Sequence, residues 1–305
     1  MAPAQGFSSV STHSPRPNAR AQAGPEAAVM PGFLERMTES SRARARAARA
    51  RDGYATLERR AAGAPKALPL RLDRFDLIAE LKLRSPAMGA LAEQGFDAQR
   101  QLTAYAAGGA AAVSVLTEPE EFKGDLAQLA AAAAALGPLG CPVMRKDFLV
   151  DPVQILEARA AGASGVLLIA AMLSDAELDE MLAAAAAQGL FVLLEAFDTA
   201  DLDRIARLGL PTDRIPVLVG INSRDLRTLA VDFARFAALA AQIRRDVPTV
   251  AESGISSEQD IEAVAASGYR LALVGSALMR DGNPRLCVES FIAAGRAAAA
   301  QASCS

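Results

Sequence analysis

Three short stretches set ionisable side chains on alternate positions of otherwise apolar runs: "AELKL" at 79–83, "VMRKDF" at 143–148 and "LLEAF" at 193–197. In an extended chain successive side chains point to opposite faces, so Glu80 shares a face with Lys82, Lys146 with Phe148, and Glu195 with Leu193 and Phe197. If those faces point inward, three strands bring two carboxylates and two ammonium groups into a mostly apolar cavity, where each charge is costly unless paired. Pairing alone would make them salt bridges at a rim. Proton transfer explains the residue types better, because the chain has only four lysines (Lys66, Lys82, Lys123 and Lys146) against 28 arginines. A guanidinium does not give up its proton at any working pH, whereas a buried ammonium can donate one and recover it. Arg145 and Asp147 fall on the alternate face and read as contacts between a strand and a helix packed outside it.

Two further stretches suit an anion. "ESGI" at 252–255 and "VGSAL" at 274–278 each join a serine to a glycine at the end of an apolar run. Glycine lets backbone N–H groups approach an oxyanion, and a following helix adds the favourable end of its dipole. Tight turns without a ligand are the alternative reading of the same residues.

The elements that must position these groups recur along the chain. Short apolar runs begin near Leu77, Ala112, Pro142, Gly165, Leu190, Pro216, Pro248 and Leu271, and amphipathic segments lie between them. Segments such as "DPVQILEARAAGA" and "SDAELDEMLAAAAAQG" open on Ser or Asp and carry glycine near the end, the marks of helix termini. Alanine tracts around 130–135 and 183–187 read as helix interiors. Eight strand-helix units whose strands are too apolar to have a wet face predict an α/β fold, a single (β/α)8 (TIM) barrel with an extra N-terminal helical segment. A doubly wound open sheet is the runner-up, but no GxGxxG follows the first strand. In a barrel the active site lies at the C-terminal ends of the strands, where the ions and the Ser-Gly pairs fall.

Composition narrows the class. A chain of 305 residues with net charge −3 and 51% hydrophobic residues suits a soluble protein of one large domain or two small ones, and its balance does not suit nucleic acid as a partner. Cys141, Cys287 and Cys304 are odd in number and widely spaced, which argues against a disulfide framework or a zinc site and suits a reducing, cytoplasmic setting. No apolar stretch is long enough to span a membrane, and the N-terminus lacks the pattern of a secretion signal. Residues 1–30, rich in Ala, Pro, Ser and Gly, are expected to be a disordered tail; Arg16 and Arg20 are too few for a clear organelle transit peptide. Residues 31–305 are then the catalytic barrel with its helical extension. Between Phe33 and Arg51 the composition turns helical, and its arginines spread around the helix, which reads as a solvated element rather than a basic anion-binding arm.

The ordered blocks "IAELKLRSP", "VSVLTEPEEFKGDL", "VMRKDFLVDPVQILEARAAGASGVLLIAAML", "VGINSRDLRTLAVDF", "AESGI" and "LVGSALMRDGNP" resemble the indole-3-glycerol phosphate synthase family from about residue 33 to residue 295. That resemblance implies a cofactor-free and metal-free reaction on a small phosphorylated substrate. The substrate 1-(2-carboxyphenylamino)-1-deoxyribulose 5-phosphate closes a ring, loses carbon dioxide and then water, and yields indole-3-glycerol phosphate. By the same resemblance Lys146 is the general acid and Glu195 the base, while Glu80 and Lys82 assist proton transfer and hold anionic groups. Ser85, Asn222 and Arg224 correspond to residues around the anthranilate carboxylate and ring, with Asn222 placed among the catalytic set. Phe122 and Phe148 would wall the aromatic ring. Ser253, Gly254, Gly275 and Ser276 would form the phosphate cradle, with Glu252 and Ser253 also near the reacting centre.

Three positions depart from the family pattern: Phe197 where a histidine is usual, Ser223 where a second asparagine is common, and Ala251 in place of a serine. A phosphoribosylanthranilate isomerase would share the phosphate site but would not need Lys146 together with Glu80 and Lys82. A non-catalytic relative would keep the core and lose the ions. The resemblance leaves room for association with other tryptophan-pathway enzymes. The absent side chain of Gly275 is expected to admit the phosphate, so that a bulky substitution there would raise KM more than it lowers kcat.

Overall fold

The computed structural model describes residues 32–85, 89–90, 95–225, 230–243 and 246–302; the expectation of a disordered tail over residues 1–30 lies outside them. Eight parallel strands close a barrel in which each neighbours the next in sequence. They are β1 (Asp76–Leu81), β2 (Ala112–Leu116), β3 (Val143–Lys146), β4 (Gly165–Ile169), β5 (Phe191–Ala196), β6 (Val217–Asn222), β7 (Thr249–Glu252) and β8 (Leu271–Val274). The last pairs with the first, Asp76 to Leu271 through Ala79 to Val274, so no sheet edge is left open. This is the predicted barrel, with each strand at its predicted place. Nearly every strand residue is buried, because the inner face fills the barrel and the outer face carries the helices.

Ahead of the barrel lie α1 (Phe33–Asp52) and α2 (Tyr54–Gly63). The remaining helices are α3 (Ala98–Ala107), α4 (Leu126–Leu136), α5 (Pro152–Ala160), α6 (Asp175–Ala187), α7 (Thr199–Arg207), α8 (Ala234–Leu239), α9 (Glu258–Ala266), α10 (Ser276–Arg280) and α11 (Pro284–Ala302). The Ser/Asp starts legible in the sequence are caps: Asp97, Asp125, Asp151, Ser174, Asp198 and Ser257 each accept a backbone N–H from the first turn of their helix. After β1, Arg84–Ser85 pairs antiparallel with Gly89–Ala90, a pairing that no sequence signal announced.

The first helix is not the solvated element its sequence suggested. Phe33, Met37, Ser41, Ala45 and Ala48 form one buried stripe. Ser and Ala are too small to register as a hydrophobic pattern, yet their size lets the helix lie close to the barrel. Its arginines reach acids on the barrel instead of solvent: Arg42 to Glu177 at 3.3 Å, Arg49 to Asp151 at 2.6 Å, and Arg44 to Asp147 through two bonds of 2.9 Å. The first two are exposed and each contributes at most about 1 kcal/mol.

Asp147 differs, because its side chain is fully buried. Besides Arg44 it accepts from Thr117 Oγ1 at 2.8 Å, Arg145 Nη2 at 3.1 Å and the Phe148 N–H at 2.8 Å. Burial works against its charge, but Arg145, Arg44 and Thr117 outweigh that and hold the carboxyl down to about 2. A carboxyl depressed in this way contributes stability that is full above its unfolded value of about 3.9 and is lost as the pH falls toward 2. The residue next to Lys146 therefore pins the end of β3 to α1. Replacing it with alanine strands the buried Arg145, and Asp147→Ala is expected to destabilise the fold by about 3–5 kcal/mol at neutral pH. Urea denaturation checks this; an unchanged midpoint would contradict it.

Candidate active site

At the C-terminal ends of the strands the pleat turns Glu80, Lys146, Glu195, Asn222 and Glu252 into the barrel. Register ties them together: Glu195 pairs with Gly220 of β6, and Asn222 pairs with Glu252 of β7. Lys146 Nζ lies 3.5 Å from Glu195 Oε2 and 3.3 Å from Glu252 Oε2, so one ammonium bridges two carboxyl groups from different strands. Lys82 Nζ lies 3.2 Å from Glu80 Oε1. The four ions singled out in the sequence are therefore two paired sets, with Glu252 as an additional buried acid.

Three carboxyls face two ammonium groups, and the imbalance shows in their ionisation. Burial opposes the Lys146 ammonium, yet Glu252, Glu195 and Glu80 more than compensate and raise its pKa. Burial and the neighbouring Glu195 push Glu252 well above the ordinary carboxyl range, with Lys146 offsetting only part of this. Glu252 is the acid that favours keeping its proton. Burial lowers Arg224, while the charge of Glu80 partly restores it.

Above these ions opens a cavity of about 220 Å³, lined by Glu80, Lys82, Lys146, Arg224 and Glu252 and by the Ser253–Gly254 and Gly275–Ser276 pairs. The structure thus brings the proposed reaction centre and both Ser-Gly pairs to one cavity. Glu195 lies below it against Lys146, at 2% side-chain exposure. Ser253 and Gly254 both take left-handed φ, +69° and +80°, which turns the chain sharply after β7. Asn222 organises the loop after β6, where its Oδ1 accepts the Arg224 N–H at 2.9 Å. Phe122 and Phe148 stand side by side, 6.3 Å between centroids, and Lys82 Nζ sits 5.9 Å from the Phe122 ring. Phe33 of α1 extends this wall edge-on to Phe148 at 5.9 Å. The side chain of Ser85 lies outside the described residues.

The bareness of Gly275 has a second reason in the structure. A Cβ built there would fall 2.6 Å from Glu80 Oε1 and 3.2 Å from Glu80 Cβ, so the space a side chain would fill belongs to Glu80. Room for the Glu80 carboxyl therefore stands beside the expected phosphate as a reason for the glycine.

Two contributors escaped the sequence reading. Glu118, fully buried after β2, accepts the backbone N–H groups of Glu120, Glu121 and Phe122 at 2.8, 2.7 and 3.0 Å and so fixes the loop that presents Phe122. An acid two residues beyond a strand end was the available signal. Ser223, noted only as a departure from the family pattern, donates to the Ser253 carbonyl at 3.0 Å and ties the loops after β6 and β7 together.

Residues 34–291 match the family model described as Indole-3-glycerol phosphate synthase. An indole-3-glycerol phosphate synthase of Micrococcus luteus is 47% identical over 218 residues, covering 72% of this chain and 78% of the relative. That of Azospirillum brasilense is 44% identical over 220 residues, covering 72% and 80%. That of Paenarthrobacter aurescens is 41% identical over 269 residues, covering 88% and 92%. Among solved structures, a thiamine phosphate pyrophosphorylase from Pyrococcus furiosus aligns over 74% of this chain and 97% of its own with a TM-score of 0.53 at 14% identity, a likeness of fold alone. With a match across the whole barrel and relatives of this similarity, the chain belongs to the indole-3-glycerol phosphate synthase family and carries its carboxy-lyase activity in tryptophan biosynthesis.

Proposed function

We propose that Lys146 is the general acid of this reaction and Glu195 its base, with Glu252 as the proton store beside them. The observation that carries this reading is the single ammonium held between two buried carboxyls at 3.5 and 3.3 Å. As the ring carbon bearing the carboxylate attacks the ribulose carbonyl, the carbonyl electron pair moves to oxygen, and Lys146 supplies the proton that makes it a hydroxyl. A donor aimed at charge that develops only in the transition state accelerates the step. Loss of carbon dioxide returns its bonding pair to the ring system. Dehydration then needs an acid to protonate the departing hydroxyl and a base to take a proton from the neighbouring carbon. Lys146 and Glu195 occupy those roles, and Glu252 can return a proton to Lys146 between the two donations.

Glu80 and Lys82 bear on the same centre from β1, and the Phe122–Phe148 wall suits the aromatic ring. The sharp turn at Ser253–Gly254 and the start of α10 at Ser276 suit the phosphate. The substrate carboxylate must leave as carbon dioxide, so tight neutralisation of that group would oppose the chemistry. Polar positioning from Asn222, with Arg224 near the cavity, fits this better than a bidentate clamp. A cytoplasmic setting is supported by the unpaired thiols Cys141 and Cys287. No helix among the described residues is long and apolar enough to cross a membrane.

The test is steady-state formation of indole-3-glycerol phosphate from the purified substrate, followed by ultraviolet absorbance or fluorescence. Lys146→Arg keeps the charge and removes the transferable proton, and Glu195→Gln keeps the shape and removes the base. Each is expected to lower kcat by about 10²–10⁴-fold with KM little changed. Wild-type turnover in either would overturn that assignment.

Gly275→Val separates the two explanations of that glycine. Its side chain would drive Glu80 from its place beside Lys82, so kcat is expected to fall along with any rise in KM. A rise in KM with unchanged kcat would return the glycine to the phosphate alone.

A further inference from the structure

Gly220 stands in the middle of β6 with its bare side turned into the barrel, level with Glu195 on one side and Val250 on the other. A glycine inside a strand weakens it and has no side chain to pack, so its presence calls for a close neighbour. The neighbour is Glu252. A Cβ built on Gly220 would fall 2.0 Å from Glu252 Oε1 and 3.1 Å from both Glu252 Cδ and Leu193 Cδ1. No rotation of an alanine methyl relieves a 2.0 Å approach, and the interior around it is filled: Leu193 and Val250 are completely buried. Glu252 Oε1 itself accepts no hydrogen bond from a backbone or amino donor among the described residues.

We infer that Gly220 is a positioning residue for the reaction: the hollow it leaves in β6 seats the Glu252 carboxyl, and from that seat Glu252 holds Lys146. Resting on the acid role proposed for Lys146, this inference adds a residue that touches neither substrate nor lysine. Filling the hollow shifts the carboxyl away from Nζ, which now lies 3.3 Å from Glu252 Oε2. The lysine then keeps Glu195 but loses the second acid, so both its orientation and its proton supply change. The Phe122–Phe148 wall lies on other strands, so its contacts are not displaced.

The experiment is a double-mutant cycle of Gly220→Ala and Glu252→Ala, read as kcat, KM and the pH profile of kcat, with circular dichroism and thermal melting on every variant. Gly220→Ala is expected to lower kcat by about 100-fold, the scale of an ångström-sized misplacement, with KM changed much less. Its pH profile should move as that of Glu252→Ala does, a response that mere loosening of a strand would not give. The double variant should turn over no more slowly than Glu252→Ala alone, because the group displaced by the methyl is already gone. Additive losses, or wild-type kcat in Gly220→Ala, would overturn the inference. If Gly220→Ala does not fold, recovery of folding in the double variant identifies Glu252 as the obstruction, whereas a double variant that also fails to fold places it elsewhere and overturns the seat. Failure of the acid role is seen separately, as wild-type turnover in Lys146→Arg, whatever the cycle returns.

Discussion

A part-buried ammonium shared by two buried carboxyls is the constraint on which the rest of this molecule depends. Glu195 and Glu252 favour the charged form of Lys146, while their closeness to each other disfavours charge on both acids at once. The geometry resolves the conflict by leaving one carboxyl, Glu252, inclined to keep its proton. Dehydration after ring closure calls for an acid and a base in one place, the roles proposed for Lys146 and Glu195.

Much of the surrounding structure keeps that cluster in register. The closed barrel sets Lys146, Glu195 and Glu252 on strands whose lateral order is fixed by hydrogen bonds, so a one-residue slip in β3, β5 or β7 would turn a charge out toward the helices. Outside the wall, Asp147 works the opposite face of β3, where Arg44 of the N-terminal helix and Arg145 hold it. Adjacent residues at the end of β3 thus send a cation inward and a structural anion outward. Glycines do comparable work inside: Gly275 leaves room for Glu80 and Gly220 for Glu252. Where an acid must lie flat against a neighbouring strand, that strand gives up its side chain.

The strands, their number and the inward set Glu80, Lys82, Lys146 and Glu195 were legible because each depends on local alternation. Hydrophobic runs, Ser/Asp caps and a period of two are written within a few residues of one another. Features that depend on which strands become neighbours were not. Nothing in "AESGI" says that its glutamate reaches across to the lysine of "VMRKDF", and nothing in "VGIN" says that its glycine is vacant for that glutamate. The docking of α1 was hidden for a different reason: Ser41, Ala45 and Ala48 bury a face by being small, and small residues leave almost no hydrophobic pattern. The family resemblance supplied Glu252 as a site residue, but its pairing with Lys146 came only from the fold.

The claim on which this account turns is that one glutamate beside Lys146 keeps its proton far above the ordinary carboxyl range. Side-chain ¹³C NMR of glutamate-labelled protein across a pH titration reads it directly, with Glu252→Gln identifying the resonance. The account predicts one carboxyl signal titrating well above the usual value of about 4.3 and missing from Glu252→Gln. If every glutamate titrated near that usual value, or if the high-titrating signal survived in Glu252→Gln, the charge arrangement described for the active site would be wrong.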